Sequence, residues 1–457
     1  IMIKIKKGID IHLVGEAKKE MKVYEPALYA IKPHDFIGVV PKMHVAEGDD
    51  VKVGTVLFHD KNNESVFFTS PASGKVKAIV RGEKRVILQV VIESDGKFET
   101  IDFGKADPSK LSRNEIVEKL VQSGTWTMLR QRPYSTIAKT QDEPKCIAVS
   151  MFDTAPLAPD NNFIVKDQMT AIKAGVEALA KLTNGMVYLN VNSSETQQAL
   201  ASLNISAKNV TITEFQGPHP AGNVSTQLNV LSPINKGEIV WYTYAQNLIA
   251  IGNLFINGTY DSNRVVAFTG SEVKDPVYYQ TRIGADISGL YDNICKDVAS
   301  RVPTENVRII SGNVLTGKKI NGENFLGYYD SQVTVIPEGD HYQLFGWLAP
   351  NFKKFTSTNT MGASFCKKSK KVLDTNLNGG IRPLIMTGNF EKVFPFDIYP
   401  MQLIKACIIK DIDQMEELGI YEIDAEDFAL CEVIDPSKTA IQQIVRESLE
   451  MLRKEMN

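Results

Sequence analysis

Along the first hundred residues apolar and polar side chains alternate with a period of two, and near residue 110 the period lengthens to between three and four. Residues 45–57 place Gly48 and Gly54 six apart around an alternating strand, as tight hairpins require. Ser70-Pro71-Ala72-Ser73-Gly74 then turns the chain, Val76, Ala78 and Val80 follow on a second strand, and residues 86–92 form a more fully buried one. Two glycine-turn-plus-strand halves in series predict a barrel-sandwich, biotinyl/lipoyl-like N-terminal domain over residues 1–104. Lys61 stands roughly where a carrier domain keeps its modified lysine. Its neighbours His59, Asp60, Asn62, Asn63 and Glu64 are not the small or apolar flanks of a swinging arm, so it reads as an exposed loop lysine.

The longer period begins with a capping box. Ser112-Arg113-Asn114-Glu115 precedes Ile116, Val117, Leu120 and Val121 on one helical face, and Gly124 stops the helix. Strands at 146–149, 186–191 and 210–214 alternate with helices at 169–182 and 195–203, which predicts a Rossmann-like α/β domain over 105–258. Residues 239–260 carry no charge and are long enough to span a bilayer. Gln246, Asn247, Asn253 and Asn257 would need partners in lipid, so a buried soluble segment is the expectation. Short strands near 264–270 and 307–310, with a helix over 287–297, predict a small β-grasp (SLBB-like) domain over 259–340. Helices at 400–410 and 440–454 mark a partly helical C-terminal region, 341–457. The stripe Ile441, Ile444, Val445, Leu449 and Leu452 fits either core packing or a docking face for another subunit.

Composition narrows the chemistry. The 457 residues, enough for about three domains, carry a net charge of -3, which argues against a nucleic-acid partner. The densest basic run, Lys367-Lys368-Ser369-Lys370-Lys371, reads as a solvated loop, with contact to anionic lipid headgroups as the alternative. The residues from Met2 to Gly8 have no apolar core of signal-peptide length, so the expected compartment is the cytoplasm. The five cysteines, at 146, 295, 366, 407 and 431, include no C-x-x-C pair; buried reduced thiols are expected, and no metal site is supported.

One loop stands out. Phe215-Gln216-Gly217-Pro218-His219-Pro220-Ala221-Gly222 follows a predicted strand at the carboxyl end of the parallel sheet, where such folds take ligands. No G-x-G-x-x-G follows any predicted strand and no G-x-x-x-x-G-K-[ST] occurs, so the usual nucleotide fingerprints are missing. Before that loop lies a strand; after it lies a polar segment with no charge until Lys236. Gly217, His219 and Gly222 either form a rigid corner or line a cleft.

Seven strings in order resemble one family. They are Ile5-Lys6-Lys7-Gly8 with Asp10, Ser70-Pro71-Ala72-Ser73-Gly74, the run from Gly217 to Gly222, Ile249-Ala250-Ile251-Gly252, Arg264-Val265-Val266-Ala267, Gly388-Asn389-Phe390-Glu391-Lys392-Val393, and Ala429-Leu430-Cys431. Over nearly its whole length the chain resembles the A-type subunit of the bacterial sodium-translocating NADH:quinone reductases. The resemblance implies a peripheral subunit on the cytoplasmic face of the inner membrane, one of six, associated with ubiquinone reduction and touching the membrane through partner subunits. It implies no redox centre in this chain, with NADH, flavins and the iron–sulfur centre held by partners. Gly217, His219 and Gly222 become quinone-binding candidates, His219 as a donor to a quinone carbonyl or as a proton relay titrating near neutrality. The family is similar to the C-type subunit of Rnf-type complexes, which carries iron–sulfur cysteines. Here the tail keeps Cys431 and continues with Asp435-Pro436-Ser437, without the cluster ligands. The alternative readings are an electron-input subunit that binds flavin or NADH, and a docking subunit of purely structural role.

Overall fold

The computed structural model describes residues 2–456 except 295–306, 340, 342, 347, 359, 360 and 367. Its centre is a seven-stranded sheet in the order Met2–Lys4, Val210–Gln216, Met186–Val191, Cys146–Ser150, Val240–Tyr244, Arg130–Arg132, Thr136–Ile137. The first five strands run parallel and the last two join antiparallel. Every residue of Cys146–Ser150 is buried, as the central strand of a sheet covered on both faces demands.

Helices Met169–Ala180 and Ala245–Asn257 cover one face and touch each other backbone to backbone. A Cβ on Gly252 would lie 1.8 Å from the Ala171 carbonyl oxygen, so only glycine permits that crossing. The charge-free stretch 239–260 is thus a strand followed by a buried helix that stops at Gly258. Among the described residues no helix is long and apolar enough to cross a membrane. The polar segment after the Gly217–Gly222 loop also turns out differently from its sequence reading. It forms the helix Val224–Leu231, whose Ser225, Thr226 and Gln227 are buried on the opposite face.

The barrel-sandwich pairs a four-stranded sheet (Leu28–Ile31, Ile87–Ser94, Gly74–Arg81, Asp50–Val51) with a three-stranded one (Pro41–Met43, Val56–Asp60, Asn63–Thr69). Tyr29, Leu57, Phe58, Phe68, Val76 and Val90 fill the space between them. The β-grasp sheet has six strands, ordered Lys318–Lys319, Val307–Ser311, Gln332–Pro337, Asn263–Thr269, Val277–Arg282, Lys18–Val23. The helix expected over 287–297 is a short 3-10 turn, Ser288–Asn293, and residues 295–297 lie outside the described residues. The first 23 residues do not sit with the barrel. Met2–Lys4 pairs with Val210–Gln216, and Lys18–Val23 pairs with Val277–Arg282, so one amino-terminal stretch stitches two later sheets together.

The C-terminal region packs Phe390–Val393, Pro400–Ile409, Ile412–Glu417, Ala429–Ile434 and Ile441–Met456 around its own core. Ile441, Val445, Leu449 and Leu452 bury against Phe394, Leu403, Ile404 and Phe428, which makes that stripe core packing rather than a docking face. Cys146, Cys407 and Cys431 are buried free thiols, but Cys366 is exposed, because its turn lies outside any core; Cys295 falls outside the described residues.

An ion cluster holds the C-terminal region to the sheet edge. Arg132, 1% exposed, reaches Asp424 at 2.6 Å and Glu426 at 2.6 Å; Arg446 pairs with the other oxygen of Asp424, and Ser135 donates a 2.6 Å hydrogen bond to the same carboxylate. Burial alone would raise the Asp424 pKa, but the two guanidiniums win and hold it below the usual range. Removing the shared carboxylate leaves two guanidiniums facing each other. Asp424→Ala is therefore expected to cost about 3–5 kcal/mol, with much of the loss recovered when Arg132 is also replaced by Met. Chemical unfolding midpoints of the two variants check this.

Candidate functional site

The site grows from the carboxyl ends of the parallel strands. From Cys146–Ser150 the chain moves to Met186–Val191 on one side and, two crossovers later, to Val240–Tyr244 on the other, which makes this the point where strand order reverses. A crevice opens at such a point because the connections leave in opposite directions. Here it is a cavity of about 780 Å³ whose walls come from all four regions of the chain.

The Gly217–Gly222 loop forms part of its floor. Gly217 has φ +146°, and a Cβ there would meet the Ile5 carbonyl oxygen at 2.4 Å, so this glycine serves the neighbouring N-terminal segment. It does not line the cavity, whereas His219 and Gly222 do. The His219 backbone N–H donates to Asp10 Oδ1 at 2.9 Å, and its carbonyl accepts from Ile9 N–H at 3.0 Å. His219 is 4% exposed, and its ring places Nδ1 3.1 Å from Thr154 Oγ1, which already accepts the Gly222 N–H at 2.9 Å. The threonine hydroxyl can donate to Nδ1, and in that tautomer the proton of the neutral ring sits on Nε2.

Beneath the loop lies a buried amide network that sequence reading missed. Asn190 Nδ2 donates to Gln227 Oε1 at 2.8 Å, and Gln227 Nε2 donates to Ser150 Oγ at 3.0 Å and to the Ala221 carbonyl at 3.2 Å. Ser150 in turn donates to the Gly222 carbonyl at 3.0 Å. The loop is held from below as well as from the side. His219 is thus both a corner residue, through its backbone, and a cavity residue, through its ring.

Other walls carry groups that no motif flagged. The Arg130 guanidinium lies over three tyrosine rings, those of Tyr329 at 4.3 Å, Tyr242 at 4.8 Å and Tyr244 at 5.4 Å. Burial pushes the Tyr244 hydroxyl far above its ordinary range, so it stays protonated. Asp153 is exposed where it lines the cavity, and the surrounding protein, with the Glu426 carboxylate, pushes its carboxyl pKa up. Arg264 donates to Asn247 Oδ1 at 3.0 Å, and Asp330 accepts from Ser311 at 2.5 Å. Phe36, Val39, Ile87, Leu88 and Phe152 make up much of the apolar wall. Chemically this is a recess with neutral hydrogen-bond donors and an apolar side, to which Arg130, Arg264 and Arg446 add guanidiniums and Asp153, Asp330, Asp424 and Glu426 add carboxyls. The alternation Trp241, Tyr242, Thr243, Tyr244 was a readable signal for the tyrosines; Arg130, Asp153 and Glu426 come from separate segments and had none.

The proton relay expected of His219 near neutrality is not what its surroundings favour. Burial pushes its pKa down from 6.5 to about 4, so the ring is neutral at pH 7. Because the folded value is the lower one, the unfolded chain takes up the proton first, and stability falls as pH drops from 6.5 toward 4. The expected loss is about 3 kcal/mol over that window, absent in His219→Gln. Unfolding midpoints of both proteins at neutral pH and near pH 4 measure it.

Comparison with known proteins bears on the whole chain. Three family models match it in order: the NqrA N-terminal barrel-sandwich hybrid domain over residues 3–95, the NqrA second alpha/beta domain over 111–260, and the NqrA C-terminal domain, an SLBB model, over 265–322. The A-type subunit of the Na(+)-translocating NADH-quinone reductase of Serratia proteamaculans is 38% identical over 466 residues, covering 99% of this chain and 100% of that protein. Its counterpart in Neisseria meningitidis serogroup B is 40% identical over 461 residues, again covering 99% and 100%. Among solved structures, an air-oxidized NAD+-reducing [NiFe]-hydrogenase aligns with a TM-score of 0.40 at 12% identity, covering 75% of this chain and 61% of that one, a likeness that carries no argument. The matched domains and the full-length relatives together establish that this chain belongs to the NqrA family, the A-type subunits of Na(+)-translocating NADH-quinone reductases.

Proposed function

We propose that this chain is the peripheral subunit of a sodium-translocating NADH:ubiquinone reductase that serves its quinone-reducing step from the cytoplasmic face of the inner membrane. In this reading it holds no redox centre; NADH, the flavins and the iron–sulfur centre reside in the other five subunits, and sodium crosses through the membrane-embedded ones. The scatter of its cysteines, with no C-x-x-C pair, supports that division of labour.

The observation that carries the proposal is the His219 ring at the floor of the switch-point cavity. A quinone head is apolar with two carbonyl acceptors, so it needs an apolar wall and one or two donors. The imidazole, held neutral and oriented by Thr154, can offer Nε2–H to one carbonyl without carrying a charge into the pocket. Phe152 stands in the same cavity wall, while Val39, Ile87 and Leu88 extend an apolar track along the barrel for the start of an isoprenoid tail. Asp153, with its raised pKa, is placed to donate a proton as the head is reduced.

The location of the crevice also supports the second reading, a nucleotide-bearing electron-input subunit, since doubly wound sheets take nucleotides at this point. Visible absorbance of the purified chain tests the flavin form of that reading, because a bound flavin is yellow, and titration with NADH followed by its fluorescence tests the nicotinamide form. For the leading reading, fluorescence titration with a water-soluble ubiquinone analogue should give saturable binding, weakened about tenfold in His219→Ala by loss of one hydrogen bond. Equal affinities in the two proteins would take His219 out of the site.

A further inference from the structure

Between residues 341 and 389 the chain changes character. Six lysines and one arginine stand there against a single aspartate, in a protein whose net charge is -3. The described part of this segment has one 3-10 turn, Gly362–Cys366, and otherwise no helix or strand. It also concentrates exposed apolar side chains. Leu344 and Phe365 are each 88% exposed, and Phe345, Phe352 and Ile381 are more than half exposed.

Four of them, Leu344, Phe345, Phe352 and Phe365, sit on turns that are bonded together. The Gly362 N–H donates to the Pro350 carbonyl at 2.8 Å, and a Cβ on Gly362 would sit 2.8 Å from the Phe352 ring, so the turn bearing Phe365 lies against Phe352. Lys354 Nζ bonds Gln343 Oε1 at 2.7 Å and Asn378 Oδ1 at 2.7 Å, which draws the turn bearing Leu344 and Phe345 to the same place. The face is anchored to the body of the protein where the Lys371 N–H donates to the His12 carbonyl at 2.9 Å. Lys353 and Lys368 are exposed beside the aromatic tips and have no ion-pair partner among the described residues.

We propose that this face seats directly on an anionic lipid bilayer. Apolar tips on turns flanked by unpaired lysines match the layering of a membrane interface, where acyl chains begin beneath a sheet of phosphate groups. An ordinary solvated loop would not expose this much apolar surface, and an apolar protein groove would not call for so one-sided a charge. Lipid contact of this kind orients the protein, setting the direction in which its cavity mouth faces, in addition to whatever protein contacts hold it.

Flotation of the full chain with quinone-free vesicles tests the assignment independently of the quinone reading. The chain should float with equal parts phosphatidylglycerol and phosphatidylcholine at low salt, not with phosphatidylcholine alone, and high salt should release it. Replacing both lysines (Lys353→Gln with Lys368→Gln) should lower partitioning about thirtyfold, at roughly fivefold per charge. Phe345→Ser with Phe365→Ser should lose binding while keeping the wild-type unfolding midpoint, since both rings are exposed. No flotation, equal flotation with neutral vesicles, or full binding by the lysine variant would each overturn the proposal. So would capture by detergent-purified membrane subunits that these substitutions impair while vesicle binding is absent, which would make the face a protein interface.

Discussion

A carboxylate shared by two guanidiniums holds this molecule in its working shape. Asp424 belongs to the helical C-terminal region, Arg132 to the antiparallel edge of the α/β sheet, and Arg446 to the last helix. Burying such ions separately would cost several kcal/mol each, so they are stable only together. The consequence is geometric. Asp424, Glu426 and Arg446 also line the cavity, so the contact that fixes the C-terminal region also completes the cavity wall. An apolar interface of the same area could slide; a set of charges with fixed partners cannot.

The site itself shows a division between backbone and side chain. Within the short Gly217–Gly222 loop, Gly217 makes room for the segment at Ile5, His219 anchors Asp10 and Ile9 through its peptide groups, and only its ring is left for the cavity. The Asn190–Gln227–Ser150 network below takes up the Ala221 and Gly222 carbonyls. A histidine so constrained, with burial holding its pKa near 4, is a poor proton carrier at neutral pH.

Much of the architecture was legible because periodicity is a local property. The capping box at Ser112 appears with both its hydrogen bonds, and the strands expected at 146–149 and 186–191 are found at Cys146–Ser150 and Met186–Val191. What escaped was either short or non-local. Met2–Lys4 is three residues long and has no alternation to read, yet it forms a sheet edge. The helix Val224–Leu231 hid behind Ser225, Thr226 and Gln227, which look solvated in sequence and are buried in the fold. The same limit applied to the site: a glycine- and proline-marked loop announces itself, while Arg130, Asp153 and Glu426 meet only after three chain segments have folded.

The two amino-terminal strands carry a consequence for how the molecule is made. Met2–Lys4 and Lys18–Val23 leave the ribosome more than two hundred residues before their partners at Val210–Gln216 and Val277–Arg282. The barrel between them is complete by residue 94, so for much of synthesis a finished domain trails an unpaired ribbon. Its edge groups must be kept from other chains until the α/β and β-grasp sheets are made, so strands that precede the barrel in the chain are paired only after it.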